Sequence, residues 1–166
     1  QTEQLIQNVK MTLQMVKGEI TMSDQEKFQG FIKAMIEENE HKYGAEARSK
    51  YGDAAVDEAN ERLLNSTPEA YENIEALNAA LFAKIKAALK DNNPQSPEGI
   101  EIAQMHAQWL KFYWPKDYYD FDKHLGLAQM YLADERFKAY YEVIGSGATQ
   151  YLHDAISYYV SLSKKQ

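Results

Sequence analysis

His106, Trp109, Leu110 and Tyr113 recur at spacings of three and four residues, so they share one face of any helix that carries them. Trp114 and Pro115 follow directly, then Tyr118, Tyr119 and His124. Rings at this density, with few polar groups among them, suit a site for a large and mostly apolar ligand. Each ring offers a wide rigid face, and a phenol or imidazole adds a hydrogen bond that sets orientation. Nine of the twelve tyrosines fall in residues 113–166. A helical aromatic stripe is more often core, yet Leu and Ile would fill a core without a polar hydrogen to satisfy. The residues by themselves leave a partly wet cleft and a purely structural core equally open.

Other chemistries fit less well. Glu37 and His41 lie four apart on one helix face, and Glu38, Glu40 and His124 could join them. Inward-facing metal sites in helical bundles, however, repeat Glu-x-x-His on two helices, and here Glu38 and His41 supply that spacing once. A solvated acidic face is the favoured reading, so no metal ligands are expected. A haem site would draw on His106 or His124, but a lone helix histidine is usually a satisfied polar residue. His-Glu-x-x-His, a phosphate loop, a nucleotide-binding glycine fingerprint and a nucleophile elbow are all absent. His153 and Asp154 are adjacent, about 100° apart on a helix, and are not expected to form a dyad. Catalytic residues and cofactors are expected to be none, and the chain is not expected to be an enzyme.

The composition agrees with a binder. A chain of 166 residues fits one domain with a real core. Its formal charge of −7 argues against gripping nucleic acid or anionic lipid, which needs clustered Lys and Arg. There is no cysteine, hence no disulfide, thiolate ligand or thiol nucleophile; a cytoplasmic location suits this composition. No apolar run approaches the roughly 18 residues of a membrane span, and no signal peptide is read at the start. The chain opens on Gln1, not Met, and is expected to be a piece of a longer protein.

The elements that must position these residues all read as helices. Ile6, Val9, Leu13, Val16 and Ile20 follow the three–four alternation of a coiled-coil seam, with Gly18 as a late hinge or end. Ser23-Asp24-Gln25-Glu26 is a capping box, followed by the stripe Phe28, Phe31, Ile32, Met35 and Ile36. Gly44 and Gly52 read as left-handed stops, and Asp53 as the cap of a short helix to about Asn65. Ser66-Thr67-Pro68-Glu69 starts a helix carrying Tyr71, Ile74, Leu77, Leu81, Phe82, Ile85 and Leu89. Residues 91–95 form a loop, and Ser96-Pro97-Glu98 opens a helix to Trp114. Further helices are expected at 121–132, after the cap Asp134, and at 148–162 beyond Gly145-Ser146-Gly147. The fold class is therefore all-α, with a coiled-coil helix preceding the rest.

The segment Gly126 to Phe137, above all Met130-Tyr131-x-x-Asp134-Glu135-Arg136-Phe137, resembles the TipA-type antibiotic-recognition (TipAS) effector domain of MerR-family transcription regulators. The His106-to-Trp114 segment, Asp154-Ala155-Ile156, Asp24 to Phe28 and the Tyr43-Gly44 and Tyr51-Gly52 pairs are similar too, and the resemblance covers about residues 22–160. It implies a globin-like helical domain over 22–163, with 1–21 as the end of a dimerisation coiled coil or linker. It also implies a homodimer of the full-length protein, DNA contact only through an upstream winged-helix domain, no membrane, and a large small-molecule or peptide antibiotic as ligand. Stand-alone members sequester the drug instead, and a haem or metal protein is a more distant alternative. The family's thiopeptide sensors capture ligand through a cysteine; without one, binding here is non-covalent. His153 stands where the family commonly has arginine. The expected ligand contacts are His106, Trp109, Tyr113, Trp114, Tyr118, Tyr119, His124, Phe31 and Met35, with His106 and His124 as polar anchors. Residues 28–51 are expected to act as a mobile lid that ligand binding orders, Asp134 as a helix cap and Arg136 as a partner to a carboxylate across the bundle.

Overall fold

The computed structural model describes residue 3, residues 6–10 and residues 23–165; among these, every regular element is helical. The seam positions Leu13, Val16 and Ile20, the hinge at Gly18 and the boundary between residues 21 and 22 lie outside the described residues. Ile6 and Val9, which are described, are about half exposed. The chain divides into two units, Gln1–Tyr71 and Glu72–Gln166.

In the first unit, α1 (Asp24–Asn39) starts at the expected capping box. The Ser23 hydroxyl accepts from the Glu26 amide at 3.1 Å and lies 3.2 Å from the Glu26 carboxylate. Ile32 is its fully buried apolar residue. The helix does not stop at Gly44. It passes through a π-helical turn, Glu40–Gly44, straight into α2 (Ala45–Tyr51), and Gly44 keeps right-handed angles, φ −57° and ψ −47°. The glycine is there for another reason: a Cβ would collide with the Glu40 carboxylate folded across it. That carboxylate accepts from Arg48 at 2.8 and 3.2 Å and from Asn60 at 2.8 Å. Arg48 also reaches Asp53 at 3.1 Å and Asp57 at 2.7 Å, tying α2 to α3 (Asp53–Leu64). Gly52, with φ 88°, makes the break between these helices and takes the N-cap position expected for Asp53, which falls in the first turn.

Thr67 then caps α4 (Pro68–Ala88) by accepting from the Ala70 amide at 3.1 Å, with Pro68 at the first helical position. The second unit is built on the remainder of α4, α5 (Pro97–Tyr113), α6 (Phe121–Ala133), α7 (Glu135–Glu142) and α8 (Ala148–Ser163). Helix α8 packs on both α5 and α6. Its Leu152, Ala155 and Ile156 are fully buried, three- and four-residue steps that make a single stripe. They meet Leu81 and Ile85 of α4, Ile102 and Ala103 of α5, and Ala128 and Tyr131 of α6 in one core. The alanines leave room for close helix approach, while the aliphatic groups fill the space between.

Caps decide where these helices begin. Ser96, Asp120 and Asp134 each accept an amide hydrogen in the first turn of α5, α6 and α7. Helix α8 has no such side chain, because its N-cap is the left-handed Gly147, φ 86°. The Glu142 carboxylate substitutes, accepting from the amides of Gly147 and Thr149 at 3.0 Å each. Those two amides and the Thr149 hydroxyl hold Glu142 below the usual carboxylate range. Arg136, expected to pair across the bundle, donates to both oxygens of the cap Asp134 at 3.0 and 2.7 Å.

Candidate functional site

The end of α5 and the start of α6 carry the aromatic set. Trp114 leaves the helix in an extended conformation and Pro115 is buried behind it. Asp117 then adopts φ 61°, a left-handed turn that lets Asp120 cap α6 three residues on. This short reversal brings His124 of α6 alongside His106 of α5. The imidazoles stack with centroids 5.0 Å apart and planes 9° from parallel. Rings then continue without a gap: Tyr113 on Trp109 at 4.8 Å, Trp109 on His106 at 5.9 Å, His124 on Tyr119 at 5.3 Å, and Trp114 between Tyr119 and Tyr118 at 6.1 and 5.5 Å. Seven of the nine expected contact residues, all those of the second unit, thus form one connected cluster. Its Trp and Tyr members are half-buried, and its two histidines have no exposed surface.

The remaining two, Phe31 and Met35, lie in the first unit. Phe31 is 52% exposed and packs edge-on against Tyr71 at 5.6 Å, while the Met35 sulfur lies 3.8 Å from the Tyr71 hydroxyl. The apolar face of α1 therefore carries a second aromatic group of its own.

Polar connections run through the cluster. His106 Nδ1 and His124 Nε2 are 2.8 Å apart, His124 Nδ1 is 2.8 Å from the Tyr119 hydroxyl, and His106 Nε2 is 3.2 Å from the Tyr131 hydroxyl. Tyr131 in turn shares a hydrogen bond with Tyr141. All four ring nitrogens are engaged. Burial is the main cause that pushes His106 well below its ordinary value, with the neighbouring His124 adding to it. Burial, with help from the Lys111 ammonium, lowers His124 to about 4. Both imidazoles are neutral at neutral pH. The Tyr119 phenol is raised by burial and by its neighbours Tyr159 and Asp120. Two cations border the cluster: Lys111 sits 4.7 Å over the Tyr119 ring and Lys123 4.0 Å over that of Tyr118.

Sequence reasoning missed three members. Phe121 bridges Tyr119 and Tyr159 at 6.1 and 5.7 Å, and Tyr131 closes the hydrogen-bonded chain. Phe121 opens α6 directly after its cap, and Tyr159 falls on the α8 stripe, so both were visible as helix residues but not as neighbours of the set.

The weaker candidates end elsewhere. Glu38 binds Lys42, Glu40 binds Arg48 and His41 is exposed; among the described residues no three His, Cys, Asp or Glu side chains come together to hold a metal ion. His153 and Asp154 do meet, Nδ1 to Oδ1 at 2.8 Å, against the expectation from their angular separation. A 100° step is short at the radius of Cβ, and both side chains bend toward each other across it. Two pockets of about 310 and 430 Å³ flank the α4–α5 loop and share Asn93. Neither is lined by the aromatic set; Tyr151 and Tyr158 are their aromatic walls. Among the described residues no helix is long and apolar enough to cross a membrane.

The chain, whose second unit is all-α with an aromatic cluster at the α5–α6 reversal, belongs to the family of TipAS antibiotic-recognition domains, whose model matches residues 43–159. Among curated proteins it is similar to the HTH-type transcriptional activator mta of Bacillus subtilis (strain 168), at 28% identity over 159 residues, 95% of this chain and 60% of that protein. It is also similar to the HTH-type transcriptional activator TipA of Streptomyces coelicolor, at 26% identity over 141 residues, 82% of this chain and 53% of that protein. The chain therefore spans a little over half the length of these relatives. No solved structure matches it.

Proposed function

We propose that this chain is the ligand-sensing effector domain of a MerR-type transcriptional activator. It binds a large, mostly apolar antibiotic non-covalently against Trp109, Tyr113, Trp114, Tyr118 and Tyr119. The observation that carries this reading is the connected ring cluster, half-buried at every Trp and Tyr and backed by two histidines with no exposed surface. Aromatic rings in that state keep a face to give up on binding, and burying such a face is the main source of affinity for an apolar ligand. His106 and His124 serve as the rigid polar backing of the cleft.

Residues 28–51 move as a preformed helical piece, since their hydrogen-bonded helices and the Arg48 ion pairs leave little to fold on binding. In the full-length protein the ligand signal passes upstream to a homodimer contact at residues 1–21 and to a winged-helix domain in the cytoplasm. A ligand produces such a shift only through unequal affinity for two arrangements. Support for a regulatory role comes from the activators named above, which the chain covers only in part.

Tryptophan fluorescence tests the site directly, because Trp109 and Trp114, the chain's two tryptophans, are both in it. Titration with thiopeptide, peptide and aromatic polyamide antibiotics should give saturable quenching, at micromolar affinity or tighter, with at least one class. A flat response from every class would remove the cleft reading.

A further inference from the structure

Between the facing nitrogens of two neutral imidazoles only one proton fits, so one ring donates and the other accepts. His106 Nδ1 and His124 Nε2 face each other in this way at 2.8 Å. Each neutral ring carries a single N–H, and fixing the central bond therefore fixes the bonds on either side. If His124 Nε2–H donates to His106 Nδ1, then His124 Nδ1 accepts from the Tyr119 hydroxyl and His106 Nε2–H donates to the Tyr131 oxygen. If the central proton sits on His106 Nδ1, all three bonds reverse. The four groups have these two arrangements with every bond made, and in both the two histidines share the same tautomer.

The charge around the outer end chooses between them. The Lys111 ammonium lies over the Tyr119 ring and acts on His124. A positive charge there disfavours protons that point outward. Asp120 also acts on Tyr119, but its carboxylate already accepts from the Lys123 amide at 2.7 Å and pairs with the Lys123 ammonium at 3.3 Å.

We infer that Tyr119 is a specificity-determining residue: the buried relay turns its proton inward, so its oxygen faces the cleft as an acceptor and selects ligands that offer an N–H or O–H there. His124, His106 and Tyr131 are positioning residues that act through it. A ligand with peptide N–H groups along an apolar body matches such a surface; one presenting only a carbonyl must reverse three bonds or forgo the contact. The inference rests on the cleft reading above, but the direction of the relay is measurable with no ligand present.

The experiment is two-bond ¹H–¹⁵N correlation on histidine-labelled protein at neutral pH, with the other two histidines assigned from His41→Gln and His153→Gln. In the wild type both His106 and His124 should carry their proton on Nε2. Tyr131→Phe leaves the His106 Nε2–H without an acceptor, and a buried donor without a partner is the costlier orphan. Both rings should then move together to the Nδ1–H form, including His124, for which no bond to Tyr131 is needed. Lys111→Glu, at an exposed position, should drive the same joint switch and serves if Tyr131→Phe does not fold. Opposite tautomers in the wild type, a wild type already in the Nδ1–H form, or a variant in which only one ring changes would each overturn the inference. A flat antibiotic titration with the relay intact would instead count against the cleft.

Discussion

Lowering the pH should remove stability from this domain through two residues, His106 and His124. A histidine in an unfolded chain titrates near 6.5. His124 in the folded chain titrates at about 4 and His106 is also held well below 6.5. A group whose folded value is depressed binds protons more readily when unfolded, so its stabilising contribution is full above pH 6.5 and is lost as the pH falls toward the folded value. At pH 5 the loss from His124 is set by the gap between 6.5 and 5, about 2 kcal/mol, since its folded value of about 4 lies below 5. His106, held low by burial and by His124, adds to that loss, which is already a large share of the roughly 5–15 kcal/mol that stabilises an ordinary domain. The window from pH 7.5 to 5 isolates the histidines, because the depressed carboxylates of Glu40, Asp120 and Glu142 contribute fully until the pH approaches the ordinary carboxylate range. Urea unfolding followed by circular dichroism at both pH values gives the number. His124→Gln should lose about 2 kcal/mol less than wild type across the window, and the His106→Gln, His124→Gln double variant should lose less still. Only the change with pH enters the comparison, since deleting a buried hydrogen-bonding group has a cost of its own at every pH. Equal losses in wild type and double variant would refute the claim that these imidazoles are kept neutral by burial.

Three glycines should respond to alanine in three ways, measured by the same unfolding assay. Gly147→Ala meets no neighbouring atom but keeps φ 86°, so backbone strain alone should cost about 1–2 kcal/mol. Gly99→Ala drives its methyl into the Pro94 carbonyl and should cost about 3 kcal/mol or more. Gly126→Ala, within α6 and facing open space, should stabilise by about 0.5–1 kcal/mol; any loss there would contradict the exposed placement. Ile156→Ala, at a site with no exposed surface, should destabilise by about 2–5 kcal/mol. Arg48→Met should lower stability only slightly and lose that effect in high salt, because two of its three carboxylate partners, Asp53 and Asp57, are mostly exposed.

The helix starts were legible because a cap is a local device: Ser23, Ser96 and Asp134 each find their amide within three residues, whatever the rest of the chain does. Gly44 misled for the opposite reason. Its glycine answers to Glu40 and, through it, to Arg48, and nothing in the Tyr43-Gly44 pair distinguishes a close carboxylate from a left-handed turn. Glu142 as the cap of α8 was equally hidden, since the carboxylate reaches forward over five to seven residues through the Gly145–Gly147 turn. For the site, residue types were readable and their partnership was not. His106 and His124 stand 18 positions apart, and only the left-handed Asp117 and the Asp120 cap bring them to 2.8 Å. Composition did not show burial either: the tryptophans and tyrosines of the set are half-buried, and the two histidines have no exposed surface.

Asp134 ends α6 and caps α7 with no residue to spare on either side. A junction of that kind behaves as a mitred corner: the angle between two rods is set by a single piece, and lengthening the piece spoils the angle. Evolutionary or engineered insertions should therefore gather at Asp91–Gln95, whose exposed turn can grow outward, and be purged between Ala133 and Glu135. A library of single-residue insertions scored for folding would draw that contrast as a map along the chain.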